Sequence, residues 1–368
     1  MAPKPKSPFA NGLASQRLLN QRIALPIPAG ASEVVKHLGA VQAQDYQSAL
    51  WAIGLRTTEA TQADVEQAIA NREIIRTWPM RGTLHLVAAA DVRWMLSLMA
   101  TRVISLNAAR LEREFGLDTK SLTQCRKIIT RALADGQPQT RSALYAILEQ
   151  AGQGTSAQRS LHILGRLAQE GTICQGPRIG KQPSFVLLDA WVPKSADLSR
   201  EQALGELGLR YFRGHGPATV QDLAWWSGLT LKDVQAALAL AKPFLQQESI
   251  GDAIYWFDPG TTTAAGVDVE AAAIHLLPAF DEYLVGYKDR SAALDPAHTK
   301  QVIGVNGIFA SNIVIEGRVS GLWKRSMDKQ GVAMSVTPLR PLKKQERAGI
   351  AAASQRIGRF LDSPVRML

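Results

Sequence analysis

The stretch SLTQCRKIITRALADGQPQTRSALYAILEQAGQGTSAQRSLHILGRLAQEGTICQGPRIGKQPSFVLLDAWVP, Ser121 to Pro193, decides how the chain folds. Three successive pieces, SLTQCRKIITRALADG, QTRSALYAILEQAG and SAQRSLHILGRLAQEG, repeat apolar residues three and four apart and stop at glycine, which predicts three amphipathic helices. Two apolar runs follow, around ICQGPRI and SFVLLDAWVP, and read as a hairpin. Three short helices and a hairpin make a winged helix.

The same order recurs downstream. REQALGELGLRYFRGHG, ATVQDLAWWSG and TLKDVQAALALAKPF read as helices, LQQESIGDAIYWFD reads as the hairpin, and QTRSALYAIL answers ATVQDLAWWS as in an internal repeat. Upstream the fit is looser: SEVVKHLG and TQADVEQAIANRE read as helices, SALWAIGLR as a strand, and IIRTWPMR with GTLHLVAAA as the hairpin. Beyond PGTTTAAG, a linker-like stretch, FDEYLVGY, IFASNIVIEGRVSGLWKR and GVAMSVTPLRPL read as β-type runs broken by turn signals, before a last helix KKQERAGIAAASQRIGRFLD. The expected fold class is α+β, with winged-helix modules over 12–105, 106–195 and 196–260 and a small β-barrel with its closing helix over 265–368.

Composition narrows the function. At 368 residues, 46% hydrophobic and 20% charged, the chain is long enough for several folded domains. No apolar run approaches membrane-spanning length, and the opening MAPKPKSPFANG lacks the apolar core of a secretion signal, so the expected address is the cytoplasm. Cys125 and Cys174 stand far apart, and the six histidines show no ligand spacing, so neither a metal nor another cofactor is expected. The net charge of +10 is uneven: residues 71–181 hold 16 basic and 8 acidic groups, whereas 182–339 hold 13 and 17. Such a division is expected when some modules touch a polyanion and others do not. Nucleic acid is the leading partner.

Against that basic background, VQAQDYQSALWAIGLR sets Gln42 and Gln44 either side of Ala43. Residues two apart diverge by about 200° on a helix and point the same way in extended chain. Taken alone the pair reads as a polar exit from the helix before Gly39. It gains meaning from three other stretches, TWPMRGTLHLV at Thr77–Val87, LLPAFDEYLVGYKDR at Leu276–Arg290 and NGIFASNIVIEGRVSGLWKR at Asn306–Arg325. With QAQ, these four ordered motifs resemble the winged-helix DNA glycosylases typified by the azinomycin-resistance protein AlkZ and the bacterial crosslink glycosylase YcaQ.

That resemblance implies three winged helices and a small barrel gripping duplex DNA. It also implies a catalytic glutamine–apolar–glutamine motif, matched here by Gln42, Ala43 and Gln44; the YcaQ branch has aspartate at the second glutamine, so Gln44 places the chain nearer AlkZ. The chemistry is consistent with amides. Glycoside hydrolysis usually needs carboxylates for acid–base work. A purine alkylated at N7 of guanine or N3 of adenine already carries positive charge and leaves as a neutral base, so the remaining task is to place a water and stabilise charge with oriented dipoles. The expected enzyme is a monofunctional glycosylase for cationic alkylated purines or interstrand crosslinks in duplex DNA, a monomer active in base excision repair and antibiotic self-resistance.

The remaining candidates are DNA contacts. Asp45 reads first as an N-cap for the following segment and second as a carboxylate beside the water. Trp78 reads as wing core, Arg81 as a phosphate contact with Gly82 allowing the reversal, and His85 as a satisfied core histidine near it. Arg126 and Lys127 represent the basic footprint of residues 71–181. Asp281 and Glu282, being adjacent, diverge on helix or strand and read as a hydrogen-bonded brace with Tyr283 and Arg290. The rival reading is a winged-helix transcriptional regulator without activity, whose third helix should be rich in Arg, Asn and Gln; TLKDVQAALALAK has almost none.

Overall fold

The computed structural model describes residues 12–154, 158–195, 197–262 and 274–368. The N-terminal residues 1–11 and the linker reading beyond residue 262 lie outside them. Strands in chain order are β1 (Val41–Gln42), β2 (Ile74–Met80), β3 (Thr83–Ala88), β4 (Gln139–Thr140), β5 (Ile173–Ile179), β6 (Gln182–Leu187), β7 (Gln246–Ile250), β8 (Ala253–Phe257), β9 (Ile274–Leu277), β10 (Asn312–Ile315), β11 (Arg318–Asp328), β12 (Gly331–Pro338) and β13 (Val365–Met367). The chain divides into two units, one running to Val65 and resuming over Gly205–Trp226 and Thr230–Leu368, the other Glu66–Leu204 with Ser227–Leu229.

In the unit Glu66–Leu204, helices Thr119–Ala132, Arg141–Gln150 and Arg159–Gln169 stand where the spacing puts them. Asp118 and Thr140 cap the first two by accepting from the Ser121 and Ala143 amides. Leu122, Cys125, Ile129 and Leu133 form the apolar stripe of the first, packed into one core with Leu144, Leu148, Ile163, Leu164, Leu167 and Phe185. Strands β3, β2, β5, β6 and β4 lie side by side in that order, with Thr77 opposite His85 across the first hairpin. Arg76 bridges β2 to β5 through a 2.8 Å hydrogen bond from Nη1 to Gln175 Oε1. One helical run was not anticipated: Val92–Met95 widens through a π turn at Leu96–Ala100 into Thr101–Phe115, and Gly116 ends it in the left-handed region.

The other unit holds an open sheet in the order β13-β12-β11-β10-β9, a curled half-barrel rather than the closed barrel expected, because β13 and β9 remain edges. The helix Lys344–Leu361 completes it, its Phe360 ring 5.2 Å from Trp51. Helices Ala31–Leu38, Arg200–His215, Val220–Ser227 and Leu231–Ala241 and the β7–β8 hairpin follow the sequence reading. Two readings are corrected. SALWAIGLR is not a strand but the body of helix Tyr46–Gly54, and FDEYLVGY contains a helical turn, Glu282–Val285, in place of a strand. Ala49–Gly54 and Glu282–Val285 are buried whatever their polarity, so neither segment shows a polar stripe. In each the deciding signal is an aspartate cap, Asp45 or Asp281.

A further part of this unit's interior is polar. Helix Leu13–Asn20 buries Gln16, Arg17 and Asn20, with Arg17 Nε donating to the Pro217 carbonyl at 3.0 Å and Asn20 Nδ2 to the Gly216 carbonyl at 2.6 Å. Arg17 also lies 3.6 Å over the Tyr287 ring, so its charge is met by a ring face as well as a carbonyl.

Candidate active site

Gln42 and Gln44 lie between two helices. Gly39 closes Ala31–Leu38 at a φ of 77°, the chain runs as strand through Val41–Gln42, and helix Tyr46–Gly54 begins after Asp45. Asp45 Oδ1 accepts from the Ser48 amide at 2.7 Å, which makes it the N-cap, worth typically about 1 kcal/mol. Neither glutamine is on a helix. Gln42 is 8% exposed, Ala43 is fully buried, and Gln44 reaches the surface. On β11 of the same unit Arg325 is mostly buried, and this burial lowers its guanidinium pKa against the opposing charge of Asp45. Its Nη1 has no hydrogen-bond acceptor among the described residues.

Behind the motif stands a carboxylate pair that does diverge. Asp281 takes both ends of Arg56 at 2.9 Å and 2.9 Å, and Arg56 donates further to Ala52 O and Gln21 Oε1. Glu282 faces the other way: Oε1 accepts the Gln42 backbone N–H at 2.9 Å, while Oε2 accepts the Trp226 indole N–H at 2.9 Å and meets His215 Nε2 at 3.2 Å. Tyr283 Oη donates to the Gly317 carbonyl at 2.6 Å, and Arg290 Nε to the Leu284 carbonyl at 2.8 Å. His37, one helix before the motif, donates Nε2–H to the Asn20 carbonyl at 2.7 Å; burial first, and the charge of Arg22 second, bring its pKa down to about 4. It is therefore neutral and committed at neutral pH.

The other sequence-derived candidates belong to the unit Glu66–Leu204. Trp78 is a core residue, stacked on Phe185 with centroids 6.5 Å apart. Arg81 and Gly82, with φ of 54° and 72°, are the two central residues of the β2–β3 reversal, the left-handed pair a type I′ hairpin turn requires. His85 is fully buried: Nδ1–H donates to the Thr83 carbonyl at 3.0 Å, which leaves Nε2 to accept from Arg81 Nη2 at 3.4 Å. Arg126 is bound to Glu170 at 2.5 Å, and Glu170 also holds Arg166 at 2.7 Å, whereas Lys127 borders a groove with Ile128, Arg131 and Ile147. The candidates thus form two groups, Gln42–Gln44–Asp45 and Arg81–His85, with Arg126 engaged by Glu170 in a part-exposed ion pair. No group of three or more His, Cys, Asp or Glu arranged to hold a metal occurs among the described residues.

Sequence reasoning did not see that Glu282, His215 and Trp226 support Gln42. Their partners lie 67, 56 and 240 residues apart in pairs, and no local pattern encodes such a bond.

The chain is similar to known proteins over most of its length. The profile of the AlkZ-like family, described as DNA glycosylase AlkZ-like, matches residues 35–360. An interstrand DNA cross-link repair glycosylase of Streptomyces sahachiroi is 29% identical over 327 residues, covering 80% of this chain and 82% of the relative. The solved structure of Streptomyces sahachiroi DNA glycosylase AlkZ shares the fold, with a TM-score of 0.76 at 24% identity over 96% of this chain and 98% of that one.

Proposed function

Because the chain belongs to the AlkZ-like DNA glycosylase family and is therefore a hydrolase of N-glycosyl bonds in DNA, we propose that it is a monofunctional enzyme for cationic alkylated purines in duplex DNA. N7-alkylguanine is the primary lesion class, with N3-alkyladenine and interstrand crosslinks as further substrates and self-resistance to a DNA-alkylating antibiotic as the setting. The observation that carries this reading is the pair Gln42 and Gln44 on non-helical chain, one nearly buried and one exposed, directly before a capped helix. Amide oxygens there orient the attacking water and face developing positive charge, while the leaving base, already cationic, needs no proton. A regulator without activity is disfavoured by the family.

The nearest lysine to the motif, Lys36, is exposed on the preceding helix, which supports hydrolysis by water over a Schiff base with the sugar. The winged-helix modules 12–105, 106–195 and 196–260 and the domain 265–368 remain our division of the chain, acting as a monomer on duplex DNA. Within it Arg81 meets a phosphate, with His85 orienting it from below, and Lys127 adds to the basic footprint.

The test is base release from an N7-methylguanine duplex under single-turnover conditions. Replacing Gln42 and Gln44 together with alanine is expected to abolish release while duplex affinity stays within about threefold, since affinity comes mainly from phosphate contacts. Unchanged excision in that double variant would sink the assignment.

A further inference from the structure

An amide-only motif leaves open what holds it still. Gln42 is aimed by its own main chain, because it sits on two residues of strand between a glycine stop and a capped helix. That main chain is gripped by Glu282, whose Oε1 receives the Gln42 N–H at 2.9 Å from 240 residues away. Both ends of this carboxylate are occupied. Trp226 donates to Oε2 at 2.9 Å, His215 meets it at 3.2 Å, and His215 is in turn stacked on Tyr211 with centroids 4.8 Å apart. Gly286 leaves room for this: a Cβ there would stand 2.7 Å from His215 Cδ2 and 2.5 Å from the Glu282 carbonyl. Glu282 and His215 are both fully buried, so no water competes for these bonds.

The neighbouring carboxylate does different work. Asp281 is matched by the Arg56 guanidinium and serves the ion pair. Glu282 instead accepts from a main-chain amide and an indole and stands against an imidazole nitrogen, with no guanidinium or ammonium among these three. A buried carboxylate is a costly way to satisfy such groups unless its short, charge-assisted bonds fix something that must not move.

We propose that Glu282 is a positioning residue for the reaction, its carboxylate clamped by Trp226 and His215 so that the Gln42 main chain, and with it the Gln42 amide, is held at the angle the attacking water needs. This rests on the reading of Gln42 as catalytic. The acting property is an acceptor at the right reach, and a glutamine supplies that acceptor through its Oε1. Its NH2 would face the Trp226 N–H, a donor against a donor, so the substitution is accommodated only when the indole is removed as well. Its Nε2 can then donate to His215 Nε2 once the imidazole proton moves to Nδ1, an atom with no hydrogen-bond partner among the described residues.

The experiment compares single-turnover base release and duplex affinity in Glu282→Ala, Trp226→Phe, the double variant Glu282→Gln/Trp226→Phe and Gln42→Ala. Glu282→Ala is expected to slow release about 100-fold, the scale of a misplacement of about 1 Å, with affinity within about threefold. The double variant is expected to release base within about threefold of Trp226→Phe alone. Release at the unmodified rate in Glu282→Ala overturns the proposal, as does a folded double variant that stays as slow as Glu282→Ala. Should Glu282→Ala fail to fold, hydrogen exchange of the Gln42 amide in the unmodified enzyme decides: strong protection is expected, and exchange as fast as an exposed loop amide overturns it. Gln42→Ala at full rate would instead bring down the catalytic reading itself, a separate result.

Discussion

In the unit carrying Gln42 and Gln44, the pairs Arg56–Asp281 and Arg17–Asp222 have side chains no more than 2% exposed, whereas in Glu66–Leu204 the pairs Arg126–Glu170 and Arg93–Asp189 each keep a partner at the surface. Fully buried ion pairs, which lock backbone and rings together, occur in the first unit beside surface pairs such as Arg213–Asp258 and Arg340–Glu346; among the described residues those of the second are all at least partly exposed around an apolar core. The difference teaches that net charge is a guide to where DNA is met only after internal pairing has been subtracted. Arg126 counts in the basic segment yet is half committed to Glu170, while Lys127 beside it borders an open groove.

The largest test of this contrast is Asp281→Ala. It leaves the Arg56 guanidinium buried and unmatched, so a loss of about 3–5 kcal/mol is expected in denaturant unfolding. A loss below about 1 kcal/mol would mean that the inward charges are not what holds that unit.

Acid is the next probe. Burial brings the pKa of His37 and of His275 down to about 4, with Arg22 and Arg356 adding to the shift respectively. Because the unfolded chain takes up these protons near pH 6.5 and the folded one only near 4, the stability is complete above pH 6.5 and falls as pH drops through that window, by about 3 kcal/mol for each histidine. Urea unfolding at a series of pH values should show that slope, and His275→Phe should flatten part of it. A flat profile between pH 6.5 and 4 would break the prediction.

The smallest effect concerns the outward charges. Lys127→Ala should lower the salt dependence of duplex binding by about one unit, the signature of one lost phosphate contact. Arg126→Ala should change the slope by less than half as much, because its guanidinium is held by Glu170. Equal slopes in a titration over a salt series would show that internal pairing does not discount a cation.

Much of this was legible in the residues. The three helices from Ser121 announce themselves because Leu122, Cys125, Ile129 and Leu133 face one core and water covers the opposite side. The glutamine pair draws notice through companion motifs elsewhere in the chain rather than through its own spacing. What stayed hidden was buried on all sides or bonded across long separations. Tyr46–Gly54 lacks a polar stripe, and Leu13–Asn20 buries a glutamine bonded to Asn20 together with an arginine and an asparagine whose partners lie about 200 residues on, so its pattern looks like a surface. Local periodicity reports solvent, and these segments bury most of their length.

The Gln42–Glu282 bond also sets a clock. At ribosomal speeds of about 5–20 residues per second, the 240 residues between them take roughly 12 to 48 s to synthesise. Throughout that interval the nascent chain carries its glutamines without their brace, while Glu66–Leu204 emerges and folds between the two halves of the unit that needs closing. An unfinished molecule therefore presents the basic surface of residues 71–181 before the Gln42 main chain has its Glu282 acceptor.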